Sequence, residues 1–143
     1  MRVLFDVNVL LALFDPRHIH HERAHSWWEQ NRASGWASCP LTQNGFVRVL
    51  SQPGYPNSVT TSEAIRVLGE AVREREHAFW PDDVSIVSSD RFRSERMLGP
   101  KQVADLYLLS LAVQRSGRLA TFDRTIPLAA VVGATMRHLA VLS

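Results

Sequence analysis

The sequence predicts an α/β sandwich with a central, mainly parallel sheet. Short apolar runs at residues 2–5, 35–39, 82–88, 118–122 and 136–142 read as strands. Helical stretches rich in leucine and alanine separate most of them. Strands that alternate with helices make crossover units, and such units build parallel sheets.

Each element has a local reason. Arg2-Val-Leu-Phe reads as a buried strand ended by Asp6. Residues 8–14 form a short leucine-rich helix stopped by Asp15-Pro16. Residues 20–32 form a polar helix with Ala24, Trp27 and Trp28 on its inner side. Gly35 to Cys39 is the second strand, and Pro40 opens a helix with Leu41, Val47 and Leu50 turned inward. Residues 51–57 are a loop. Thr60 to His77 reads as one long amphipathic helix with Ile65, Leu68 and Val72 on its buried face. Val84, Ile86 and Val87 make 82–88 the third strand, and an arginine-rich loop fills 89–99. Residues 101–116 form a helix capped by Gly117. Residues 118–122 are the fourth strand, ended by Asp123. A short helix over 126–132 and a last strand over 136–142 follow.

A chain of 143 residues is the size of one ordinary domain, so residues 1–143 are expected to share one core. Its hydrophobic share of 45% and charged share of 21% exclude a disordered chain. No apolar run approaches the roughly 18 residues that span a bilayer. Asp6 falls where a secretory leader needs its apolar segment, and the lone Cys39 has no partner for a disulfide within the chain. Both point to the cytoplasm and away from a membrane. The net charge of +2 leans toward an anionic partner. Every basic residue except Lys101 is arginine, which suits phosphate and equally fits a GC-rich coding bias.

In a parallel sheet every strand carries its C-terminal end to one edge, and ligands bind there, where strand order reverses. Asp6 ends the first strand, Asp123 ends the fourth, and Asp105 lies near the start of the helix leading into the fourth. Topology alone brings them to one edge, together with the helix start at Thr42, Gln43 and Asn44. Taken singly, each aspartate has a structural reading as a turn or helix-terminus residue. Together, three carboxylates in one crevice repel unless a cation neutralises them. Oxygen-only donors suit Mg²⁺ or Mn²⁺. Such ions lower the pKa of bound water and polarise phosphoryl oxygens, which implies phosphodiester hydrolysis.

The motifs resemble those of the PIN-domain ribonucleases, and among them the VapC-type toxins of bacterial toxin–antitoxin pairs. Leu4-Phe-Asp-Val-Asn-Val-Leu-Leu is similar to the family's first acidic motif, and His20-His-Glu-Arg-Ala-His-Ser-Trp-Trp to the helix after it. Cys39-Pro-Leu-Thr-Gln-Asn-Gly-Phe-Val-Arg resembles the start of the next helix. Val103-Ala-Asp-Leu-Tyr-Leu-Leu and Leu119-Ala-Thr-Phe-Asp-Arg resemble the third and fourth acidic motifs. The motifs occur in order across almost the whole chain. The resemblance implies a PIN-like three-layer sandwich and an endoribonuclease that uses Mg²⁺, with Mn²⁺ as a substitute. It implies Asp6 and Asp105 as metal ligands, Asp123 as a supporting ligand, and Asn8 and Thr121 as neighbouring hydrogen-bonding groups. It also implies an RNA substrate, a cognate antitoxin that obstructs the site, and a homodimer.

One departure stands out. The family pattern commonly has a glutamate early in the third helix, where this chain reads Thr42-Gln-Asn-Gly. Asn44 is left as the catalytic-set residue there, offering an amide, with Thr42 in support. The alternative function is a catalytically weakened PIN-fold module that binds RNA or antitoxin. Arg91, Arg93 and Arg96 are expected to contact RNA phosphates or to form a solvated loop, and Arg48 is expected to touch RNA or the antitoxin. His21 and His25, at i, i+4, have zinc-ligand spacing but no evident third ligand. The four tryptophans read as core or interface residues, or as stacking platforms for bases. A phosphatase or receiver of similar topology is disfavoured, because Asp6-Val-Asn8 lacks a paired acid and Lys101 precedes a helix.

Overall fold

A computed structural model describes residues 1–143. The elements in chain order are β1 (Val3–Phe5), α1 (Val7–Phe14), α2 (His21–Asn31), β2 (Trp36–Ser38), α3 (Pro40–Leu50) and α4 (Thr61–Ala71). They continue with β3 (His77–Phe79), α5 (Val103–Gln114), β4 (Arg118–Thr121) and β5 (Leu139–Val141). The strands lie in the order β3-β2-β1-β4-β5, and every neighbouring pair is parallel. The pleat sorts successive side chains to opposite faces. Val3 and Phe5 enter a core packed by α1 to α4, whereas Leu4 enters a second core packed by α5. This is the expected three-layer sandwich. Phe5 anchors the first core, with its ring centroid 5.4 Å from Trp28 and 5.6 Å from Trp36.

The third strand is His77–Phe79 rather than 82–88, and α4 ends at Ala71 rather than His77. Arg73 to Glu76 are good helix formers. They turn out of the helix because β3 must pair with β2: Trp36 N donates to Glu76 O at 2.9 Å and Trp80 N to Ser38 O at 2.9 Å. The 82–88 segment leaves the sheet, and Val87 is 87% exposed. Asp82 accepts Leu41 N at 2.9 Å at the start of α3, and Asp83 pairs with Arg115 at 2.8 Å. On α4 the buried residues are Ala64, Leu68 and Ala71, while Ile65 is 56% exposed. On α3, Phe46 and Leu50 fill the core and Leu41 is exposed.

The end of α5 differs from expectation by one residue. Ser116 N donates to Val113 O at 3.1 Å and Gly117 N to Ala112 O at 2.8 Å, the Schellman pairing. The left-handed residue is Ser116, with φ 55°. Gly117 is required for a different reason. A Cβ there would lie 2.6 Å from Arg2 O and 2.7 Å from Trp80 Cη2. The expected helix over 126–132 is one 3-10 turn, Leu128–Ala130, and the last segment divides into a 3-10 turn at Met136–His138 and β5.

Candidate active site

β1 has β2 on one side and β4 on the other, so strand order reverses between β1 and β4. Asp6 and Asp123 follow the C-terminal ends of these two strands. Asp6 N donates to Ala120 O at 3.1 Å. The Asp6 side chain then caps α1: Oδ1 accepts Asn8 N at 3.3 Å and Oδ2 accepts Thr121 Oγ1 at 2.7 Å. Thr121 Oγ1 also accepts Asp123 N at 3.1 Å, so one buried hydroxyl ties the two strand ends together. Asp123 Oδ1 accepts Thr125 N at 2.8 Å and Thr125 Oγ1 at 2.6 Å. Asp105 sits in the first turn of α5, half-buried, and no hydrogen bond reaches its carboxylate.

The three carboxylates feel one another. Burial first, and then the charges of Asp6 and Asp123, raise the Asp105 pKa to about 6. Burial also lifts Asp6 above the ordinary carboxylate range; its hydrogen bonds from Thr121 and the α1 backbone oppose this, and the charge of Asp123 reinforces it. No three His, Cys, Asp or Glu side chains converge into a ready-made metal cage.

The other expected residues divide. Asn8 contributes its backbone N–H to Asp6, and its side chain is exposed at the rim. Thr121 is central. Thr42 is committed elsewhere: its hydroxyl accepts Cys39 N at 3.0 Å and donates to Cys39 O at 3.1 Å, closing the first turn of α3. Gln43 Nε2 donates to Ser38 Oγ at 3.0 Å. Asn44 and Arg48 are exposed and line a groove of about 680 Å³ between α3 and α4, together with Val47, Ile65 and Val72. Arg93 Nη1 donates to Ala129 O at 2.9 Å. Arg91 is exposed on the same segment, which Phe92 pins to Val131. No contact joins either arginine to the aspartates.

His21 Nδ1 lies 2.8 Å from Ala12 O and His25 Nε2 lies 2.9 Å from Leu13 O. Both rings serve carbonyls at the end of α1, which helix geometry leaves unpaired, and the zinc reading lapses. By sequence Asp15 is a helix stop. It is a buried acceptor for Tyr55 Oη at 2.6 Å and Asn57 Nδ2 at 3.0 Å. Burial alone would raise its pKa, but the bonds from Tyr55, Asn57 and Arg17 N outweigh burial and hold it below the usual range.

Fold and site define a class: a parallel α/β domain with carboxylates gathered at its topological switch point. The family model of the PIN domain matches residues 3–132. The chain belongs to the PIN-domain family, in its VapC branch. It is 54% identical to Ribonuclease VapC44 of Mycobacterium tuberculosis over 142 residues, 99% of this chain and 100% of that protein. It is 37% identical to Ribonuclease VapC39 of the same organism, over 93% of this chain and 96% of the relative. Among solved structures, FitAcB from Neisseria gonorrhoeae superposes with a TM-score of 0.60 at 18% identity, over 99% of this chain and 96% of that one. Mycobacterium tuberculosis VapC20, described as a sarcin–ricin-loop-cleaving toxin, gives 0.60 at 11% identity, over 92% and 98%. These two share the fold.

Proposed function

We propose that the chain is a Mg²⁺-dependent endoribonuclease toxin, with Mn²⁺ able to substitute, that hydrolyses RNA phosphodiester bonds and is neutralised by a cognate antitoxin. The observation that carries this is the meeting of Asp6, Asp105 and Asp123 at one edge of a chain 54% identical to a protein named a ribonuclease. The same family reading supports a homodimer.

The donor set fits a hard divalent ion. All three groups offer oxygen, and Asp6 and Asp105 are destabilised as anions by burial and by neighbouring charge, which a cation relieves. Asp6 and Asp105 would hold the ion, with Asp123 beside them. When bound, it supplies an acidified water and a polarised phosphoryl oxygen. The chain's own residues do the positioning. Thr121 fixes the Asp6 carboxylate and the backbone of Asp123, while the absence of a hydrogen bond leaves Asp105 free to turn toward a ligand. Few protein donors leave room for waters and a substrate phosphate, the arrangement Mg²⁺ favours.

A second reading, a binding module with weakened catalysis, draws on the run Thr42 to Gly45, which brings no carboxylate. One experiment separates the two. Purified protein freed of antitoxin is incubated with a structured RNA in Mg²⁺, in Mn²⁺ and in EDTA. The nuclease reading expects fragments with either metal, none in EDTA, and a rate at least about 100-fold lower for Asp105→Asn. Binding without fragments under every metal supports the module instead.

A further inference from the structure

The geometry points to a phosphate subsite beside the acidic crevice, formed by Arg23 laid across Phe122 and braced by His20; it rests on the RNA-cleaving reading above. Phe122 lies between Thr121, which binds Asp6, and Asp123. The Arg23 guanidinium carbon is 5.4 Å from the Phe122 ring centroid. The His20 ring packs on the same ring, centroids 4.9 Å apart, and Arg23 Nη2 donates to His20 Nδ1. His20 occupies the N-cap position of α2 without capping it through its side chain. Its ring serves Phe122 and Arg23 instead.

Arg23 is held in place yet has no acidic partner. Arg32, Arg66 and Arg115 each pair with a carboxylate, and Arg23 pairs with none. Only the His20 ring engages its fork of N–H donors, and only through Nη2, which leaves Nε and Nη1 free for an anion. A guanidinium already fixed by stacking loses little further freedom when a phosphate binds, so the site is preorganised. Its planar fork matches two phosphate oxygens. The location supplies the need: three aspartates repel a polyanion, and Arg23 sits against Phe122, the residue between Thr121 and Asp123. Arg124 is equally near in sequence but is exposed and held by nothing.

The test is binding of a short, mixed-sequence, fluorescent single-stranded RNA in EDTA, where no metal is present to support turnover, at several salt concentrations. Arg23→Gln is expected to weaken binding about tenfold and to lower the slope of log affinity against log salt by about 0.7, the share of one phosphate on a single strand. Arg23→Lys keeps the slope and recovers part of the affinity. Arg75→Gln removes the same charge at the opposite strand edge, beside Gly35, and leaves affinity and slope unchanged. Unchanged affinity and slope in Arg23→Gln overturn the inference. So does an Arg23→Lys protein that behaves like Arg23→Gln, because packing on Phe122 and not charge would then be at work. A parent protein that binds no RNA in EDTA overturns the inference alone, whereas the ribonuclease reading fails only if no fragments form with Mg²⁺ or Mn²⁺, so the two failures are distinct.

Discussion

Asp105 holds its proton up to about 6, against an ordinary value of 3.8, because burial and the charges of Asp6 and Asp123 disfavour the anion. The folded state therefore binds that proton more tightly than the unfolded state. Its ionisation costs folding stability as pH rises from the unfolded value through about 6. Asp105→Asn removes the charge and should stabilise the metal-free protein at pH near 8 by about 1–2 kcal/mol, discounted for partial exposure. Calorimetric unfolding should register a gain of a few degrees that fades near pH 4. An equal midpoint for variant and parent at the higher pH would contradict the burial argument. That Asp6, Asp105 and Asp123 share one edge was legible in the sequence, because two end apolar strand runs and the third lies at the start of the helix that leads into the fourth strand. Asp15 was not legible as a clasp, because its partners Tyr55 and Asn57 lie about forty residues away and no local pattern records the contact. The roles of His21 and His25 were hidden for a similar reason: their spacing shows a metal-ligand pattern without a third ligand, but not the carbonyls at the end of α1 that their rings serve.

Among the elements, the α5–β4 junction makes the sharpest demand on the sequence. Ser116 bears the left-handed conformation, and Gly117 admits the carbonyl of Arg2 and the ring of Trp80. Ser116→Gly should stabilise by about 1 kcal/mol, since glycine has no Cβ to strain there. Gly117→Ala should destabilise by about 2 kcal/mol or more through overpacking. Urea denaturation midpoints check both; a neutral Gly117→Ala would mean that the close approach does not constrain this residue. Sequence reading placed the cap at the glycine because local preference favours it, whereas the tertiary contact with Trp80 decides. The same kind of override moved the third strand. Val84, Ile86 and Val87 have the composition of a strand, but Asp82 and Asp83 are drawn off to α3 and α5, and the less apolar His77–Phe79 pairs with β2.

At the scale of the molecule, alternating strands and helices sufficed to predict an α/β sandwich with a mainly parallel sheet and a shared edge for the aspartates, and the family resemblance added the three layers. The order β3-β2-β1-β4-β5 was not legible, because neighbours in a sheet are chosen by packing between segments distant in sequence. That order places the switch point between β1 and β4, where Thr121 ties Asp6 to Asp123. No helix is long and apolar enough to cross a membrane. The central claim is that three aspartates from separate parts of the chain act as one metal-holding site. Calorimetric titration with Mn²⁺ at pH near 8, above the Asp105 value, tests it most directly. The parent should bind, Asp6→Asn and Asp105→Asn should each lose at least about tenfold in affinity, and Asp15→Asn, a buried acid outside the crevice, should bind as the parent does. Mn²⁺ binding of parental strength in both Asp6→Asn and Asp105→Asn would contradict the account.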